Sequence, residues 1–129
     1  MTEMNNQDYE TLLRFRTTLR HFLHWSEQQA REAGLTPAQH QLLLAIKGHP
    51  APAAPTVGEV AEYLALQHHS AVELIDRAQK AGLVERSQDE GDHRIVHLRL
   101  SPVGDKRIAR LSKLHLEELR RLGPFVAGP

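Results

Sequence analysis

The 129 residues contain no cysteine. Disulfides, thiolate nucleophiles, thiol-based peroxide sensing and cysteine-ligated zinc are therefore excluded by inventory. Net charge is absent too, since sixteen Lys and Arg are balanced by sixteen Asp and Glu. A chain that neutralises phosphates usually carries a basic footprint, so any nucleic-acid binding must rest on local charge. No apolar run approaches the roughly 18–20 residues of a membrane span. The opening MTEMNNQDYE is polar and acidic where a secretion signal is basic and then apolar. The expected location is the cytoplasm, with no membrane association. Glycine-rich phosphate loops, a nucleophile elbow and paired carboxylates in a cleft-like context are all lacking. No enzymatic activity, catalytic residue or cofactor is expected.

What is present has the composition of a globular protein, 25% charged and 40% apolar. Its length predicts a single domain over residues 1–129. From Asp8 to Ala33 apolar residues recur at helical spacing, at Leu12, Phe15, Leu19, Phe22 and Leu23, with Gly34 as the stop. Thr36-Pro37 opens a second helix carrying Leu42, Leu43 and Ile46 as far as Gly48. HPAPAAP, 49–55, reads as a stiff loop. Thr56 and Glu59 have capping-box spacing ahead of a short helix through Val60, Ala61 and Leu64. After a break at Leu66-Gln67-His68, a fourth helix carries Ala71, Leu74, Ile75 and Ala78 and ends at Gly82. Two short helices on so tight a turn make a helix-turn-helix.

Leu83 to Arg86, a polar glycine-containing turn, and the alternation of Ile95 to Leu100 predict a hairpin, with Val96, Leu98 and Leu100 on one face. Ser101-Pro102 then opens a last helix with Ile108, Leu111, Leu114, Leu119 and Leu122, stopped at Gly123-Pro124. The predicted fold is mainly α with a small β-hairpin wing: a winged helix-turn-helix flanked by long N- and C-terminal dimerisation helices. Residues 8–33 and 101–122 are the expected dimerisation helices, and 36–100 the DNA-binding lobe. Each terminal helix bears an apolar stripe that one small domain has too little core to cover, so a homodimer is expected.

The segments LTPAQHQLLLAI (35–46), TVGEVAEYLAL (56–66), VELIDRAQKAGLVER (72–86) and DEGDHRIVHLRLSPVG (89–104) resemble the MarR family of bacterial transcriptional regulators. The Asp-x-Arg of Asp92 and Arg94, followed by an alternating strand and LSPVG, is specific in this setting. The resemblance implies a homodimer with recognition helices in successive major grooves, and wings in adjacent minor grooves, of a pseudo-palindromic double-stranded DNA operator. It further implies a repressor, released when a small aromatic or anionic ligand binds between the DNA-binding lobe and the dimerisation helices.

Within that frame Arg94 is the foremost candidate. An arginine at a hairpin tip can enter the narrow minor groove while Asp92 orients its guanidinium in a bidentate pair. The alternative is a surface pair of little energetic consequence. Asp89 and Glu90 read as uncompensated acids that repel phosphate. Gln67, His68, His69 and Ser70 open the recognition helix, where side chains reach base edges or phosphates; the alternative is that the histidines cap the helix. The resemblance implies phosphate contacts for Arg77 and Arg86, the alternative for Arg77 being an ion pair with Asp76 or Glu73. Phe22, Trp25 and His40 are candidates for a ligand pocket, against ordinary core packing. Nine histidines raise a zinc-responsive regulator as an alternative, with His40 meeting His21, His24 or His115 across a dimer interface, but no metal-ligating set is assigned. A winged-helix module that binds protein instead of DNA is the other alternative, kept by the neutral charge and the acidic wing.

Overall fold

The computed structural model describes residues 3–123. Its elements run α1 (Asn6–Glu32), α2 (Pro37–Lys47), α3 (Val57–Tyr63), α4 (His68–Lys80), β1 (Val84–Gln88), β2 (Val96–Leu100) and α5 (Pro102–Arg121). This is the winged helix-turn-helix order expected from the sequence. Pro124, part of the predicted last stop, lies outside the described residues.

The helices begin where side chains satisfy orphan N–H groups. Thr36 with Gln39 and Thr56 with Glu59 form reciprocal capping boxes. A third box, Asn5 with Asp8, starts α1 at Asn6 rather than at the expected Asp8, because Asp8 is the box partner and not the first helical residue. Helix ends are equally local. Gly34 and Gly82 adopt left-handed φ of 80° and 74°. The N–H after each reaches back to Ala30 and Ala78 carbonyls at 2.9 and 3.0 Å, the Schellman pattern.

α2 sits at the centre, packed against α1, α3, α4, α5 and β2. Leu42, Leu43, Ile75, Leu83, Leu98, Ile108 and Leu111 are sealed in the core. Each such side chain contributes about 1.5–3 kcal/mol relative to exposure. β1 and β2 pair antiparallel from Val84 opposite Leu100 to Gln88 opposite Val96. The end of the proline loop returns to this hairpin: Leu98 N donates to Pro55 O at 2.8 Å, and Thr56 bridges to His97.

α5 is seated by its first turn. Ser101 Oγ donates to Gly82 O at 2.6 Å and accepts from Gly104 N at 3.0 Å. A Cβ on Gly104 would lie 2.2 Å from Leu83 O, so the LSPVG glycine lets the helix approach that carbonyl. The terminal helices contribute unevenly to this core. The 27 residues of α1 bury only Ser26 and Ala30, leaving Leu12, Phe15, Leu19 and Leu23 exposed. α5 buries Gly104, Ile108 and Leu111 but exposes Leu116 and Leu119 further along. Among the described residues, no helix is long and apolar enough to cross a membrane.

Candidate nucleic-acid interface

The turn between α3 and α4 is closed by Ala65 in the left-handed region, φ 54°. Ala65 N donates to Glu62 O and Leu66 N to Ala61 O, at 3.1 and 2.9 Å, repeating the Schellman pattern without a glycine. α4 then starts after Gln67, whose side chain makes no capping bond. At this start Gln67, His68 and His69 are exposed and Ser70 is half-buried. His68 and His69 lie inside the helix and do not cap it, so that alternative is set aside.

The wing tip is organised by two aspartates. Asp89 Oδ2 accepts from Gly91 N and Asp92 N, both at 3.0 Å, folding the chain back on itself. Asp92 accepts from Arg94 three times: from its backbone N at 3.0 Å, its Nε at 3.1 Å and its Nη2 at 3.0 Å. The guanidinium is thus held in a fork while its side chain remains 90% exposed. The Arg94 hydrogen bonds, side chain first, hold the Asp92 carboxyl below its ordinary range.

Asp89 is not the uncompensated acid that the sequence suggested. Its Oδ1 faces His97 Nε2 at 2.8 Å, and the other ring nitrogen, Nδ1, faces Ala54 O at 2.6 Å. The bond to Asp89, then that to Ala54, raises the His97 pKa, while His97 chiefly lowers that of Asp89. Sequence alternation placed His97 on the face of Ile95 and Arg99. Its partner lies 43 residues away in the proline loop, and no local pattern signals that contact.

Arg86 is committed within the fold, donating to Asp76 Oδ1 at 2.7 Å and to Gln79, which ties β1 to α4. Asp76 is therefore taken, and Arg77 makes no ion pair among the described residues, contrary to the alternative weighed for it. Between the wing and α4 runs a groove of about 560 Å³ lined by Thr56, Gly58, His68, Val72, Arg86 and Arg94, among others. The fold thus brings His68, Arg86 and Arg94 to one groove. Arg77 and His69 do not line it. Thr56 and Gly58 join it unforeseen, since the sequence marked Thr56 only as a helix-capping residue and gave Gly58 no role.

Phe22, Trp25 and His40 meet through a fourth residue, His115. Its ring lies 4.8 Å from Trp25, 6.0 Å from Phe22 and 4.7 Å from His40, centroid to centroid. His115 Nδ1 faces Leu111 O at 2.7 Å, and its Nε2 lies 2.7 Å from the Ser26 hydroxyl, which can donate or accept there. Burial, with His115 alongside, pushes the His40 pKa down to about 4 and keeps it neutral. Phe22 and Trp25 border a cavity of about 350 Å³ and His40 a separate one of about 260 Å³. Among the described residues, no group of three His, Asp or Glu side chains is arranged to hold a metal ion.

A sequence model of the MarR family matches residues 33–95. An uncharacterized HTH-type transcriptional regulator of Bacillus subtilis, YsmB, is 38% identical over 65 residues, 50% of this chain. That alignment spans 44% of the relative's length. Among solved structures, the MarR family transcriptional regulator AbsC of Streptomyces coelicolor superposes with a TM-score of 0.76 at 18% identity, covering 94% of this chain and 81% of its own. S. aureus MepR in complex with DNA superposes with a TM-score of 0.72 at 18% identity, covering 93% and 83%.

Proposed function

We propose that this chain, whose residues 33–95 match a sequence model of the MarR family, is a homodimeric repressor of that family that reads a pseudo-palindromic operator. The carrying observation is Arg94, exposed at the wing tip yet held by Asp92 in a bidentate fork. A guanidinium prepositioned in this way enters a narrow minor groove with little ordering cost. The open start of α4, with Gln67, His68, His69 and Ser70, is assigned to the major groove. Arg77, with no internal partner among the described residues, is assigned to phosphate. Arg86 reaches phosphate only while holding α4 to β1, so its first role is to fix the angle between recognition helix and wing.

The apolar stripes of residues 8–33 and 101–122 are assigned to the dimer interface. The aromatic and histidine cluster at the junction of α1, α2 and α5 is assigned to a small aromatic or anionic ligand whose binding releases DNA. Phe22 and Trp25 border the larger cavity there and His40 the smaller.

Fluorescence anisotropy against duplex from the region upstream of its own gene, at two salt concentrations, tests the reading. Wild type should bind with an affinity that falls steeply as salt rises. Arg94→Ala should weaken binding roughly tenfold, the scale of a lost charge-assisted contact. Salt-insensitive behaviour, or an Arg94→Ala affinity equal to wild type, would overturn the assignment.

A further inference from the structure

His97 is bracketed by two groups that can only accept. Its Nδ1 lies 2.6 Å from the Ala54 carbonyl and its Nε2 lies 2.8 Å from the Asp89 carboxylate. A neutral imidazole has one N–H and one lone pair, so it can make one of these bonds but must set a lone pair against oxygen at the other. A proton on Asp89 Oδ1 would also satisfy both ends, but His97, and then the Asp92 and Gly91 amides that donate to Asp89 Oδ2, stabilise the carboxylate and hold its pKa down, so the shared proton belongs to the ring. Only the imidazolium donates at both ends.

The consequences run outward through short contacts. Asp89, gripped by His97, folds the backbone of Gly91 and Asp92, and Asp92 in turn holds the Arg94 guanidinium. On the other side, Ala54 belongs to the loop that enters the Thr56 cap of α3. One ring therefore ties the wing tip to the start of the helix-turn-helix. The charge also offsets Asp89 on a surface that would otherwise repel phosphate.

We propose that His97 is a positioning residue for DNA recognition, working as an imidazolium that sets the wing tip and releases Arg94 from its fixed position when it loses its proton. This rests on the DNA-binding reading above. The charged groups around it divide in sign. Asp89 favours the proton, as does Glu59 on α3, whose carboxylate is shared with His49 at 3.5 Å. Arg99, on the same strand, opposes it. The balance raises the His97 pKa above its ordinary 6.5. Its contribution is therefore complete below that ordinary value and is lost as pH rises through the higher, folded one.

Two measurements on the full chain test this. Long-range proton–nitrogen NMR of the imidazoles should find both His97 nitrogens protonated at low pH and a titration midpoint above the ordinary 6.5. The Arg94 Nε–Hε resonance should move with the same midpoint, and Asp89→Asn should lower that midpoint. A His97 midpoint at or below the ordinary 6.5, or an Arg94 resonance indifferent to its titration, overturns the proposal. For binding, a duplex selected by this protein from a random library is titrated between pH 6.5 and 8.5. Wild type should lose roughly fivefold more affinity over that range than His97→Gln, the scale of one ordered contact. Any contribution of His68 and His69 is common to both proteins and drops out of the comparison. Equal losses in the two proteins overturn the proposal. If selection yields no duplex, the DNA reading falls, and the coupled titration of His97 and Arg94 still decides whether the ring sets the wing.

Discussion

At the scale of single residues, Ala65 shows a local rule broken at a site where geometry demands it. The α3–α4 turn needs a left-handed residue, and an alanine at φ 54° supplies it. A side chain there costs roughly 1–2 kcal/mol, from which glycine is exempt, although glycine forfeits part of this through its larger unfolded-state freedom. Ala65→Gly is expected to stabilise the fold by about 0.5–1 kcal/mol, read as a higher midpoint in urea. A fall in midpoint would show that the alanine methyl is favourably packed. Arg94 is the complementary case. Its three bonds to Asp92 lie within two residues, so the Asp-x-Arg motif could be read from sequence as a fork. His97 could not, because its partners come from a loop and a hairpin tip that only folding brings together.

Elements meet at a few close contacts, and the start of α5 is the tightest. Gly104 lies against Leu83 O so closely that an added methyl, 2.2 Å away, would collide with backbone rather than a movable side chain. Gly104→Ala should therefore cost about 1–3 kcal/mol, as overpacking does, despite alanine's better helix propensity. Denaturant unfolding measures it, and an unchanged midpoint would mean that α5 can shift outward without loss. The Ser101 bonds to Gly82 O and Gly104 N belong to the same joint, which also terminates α4. Sequence identified Ser101-Pro102 as a helix start, but not that this start clamps the end of α4. The proline loop is similar: its stiffness was legible, while its lodging beside β2 at Pro55 and Thr56 was not.

At the scale of the whole molecule, the chain by itself leaves apolar surface in water along α1 and the outer part of α5. Leu12, Phe15, Leu19 and Leu23 follow helical spacing on a helix that buries only Ser26 and Ala30 in the core. A second copy covering that stripe is the proposed remedy. Leu19→Glu should split the dimer, giving a monomer mass in light scattering at micromolar concentration. A retained dimer would place the interface elsewhere. Phe22 is a poorer test site, since its ring packs edge-on to His115 and a charge there would disturb the interior as well.

The sequence by itself determined whatever depends on neighbours within about one helical turn. That includes the N-cap at Thr36, the capping box at Thr56, the glycine stops at 34 and 82, the hairpin alternation and the Asp92–Arg94 fork. These were legible because backbone periodicity fixes which nearby groups can meet. Tertiary structure alone decided the rest. Ser26 meets His115 across 89 residues, His97 meets Ala54 across 43, and Asp76 takes Arg86 and leaves Arg77 without an ion pair among the described residues. Such pairs arise from how helices and hairpin pack around the α2 core, so their chemistry, including the charge that His97 must carry, exists only once the chain has closed on itself.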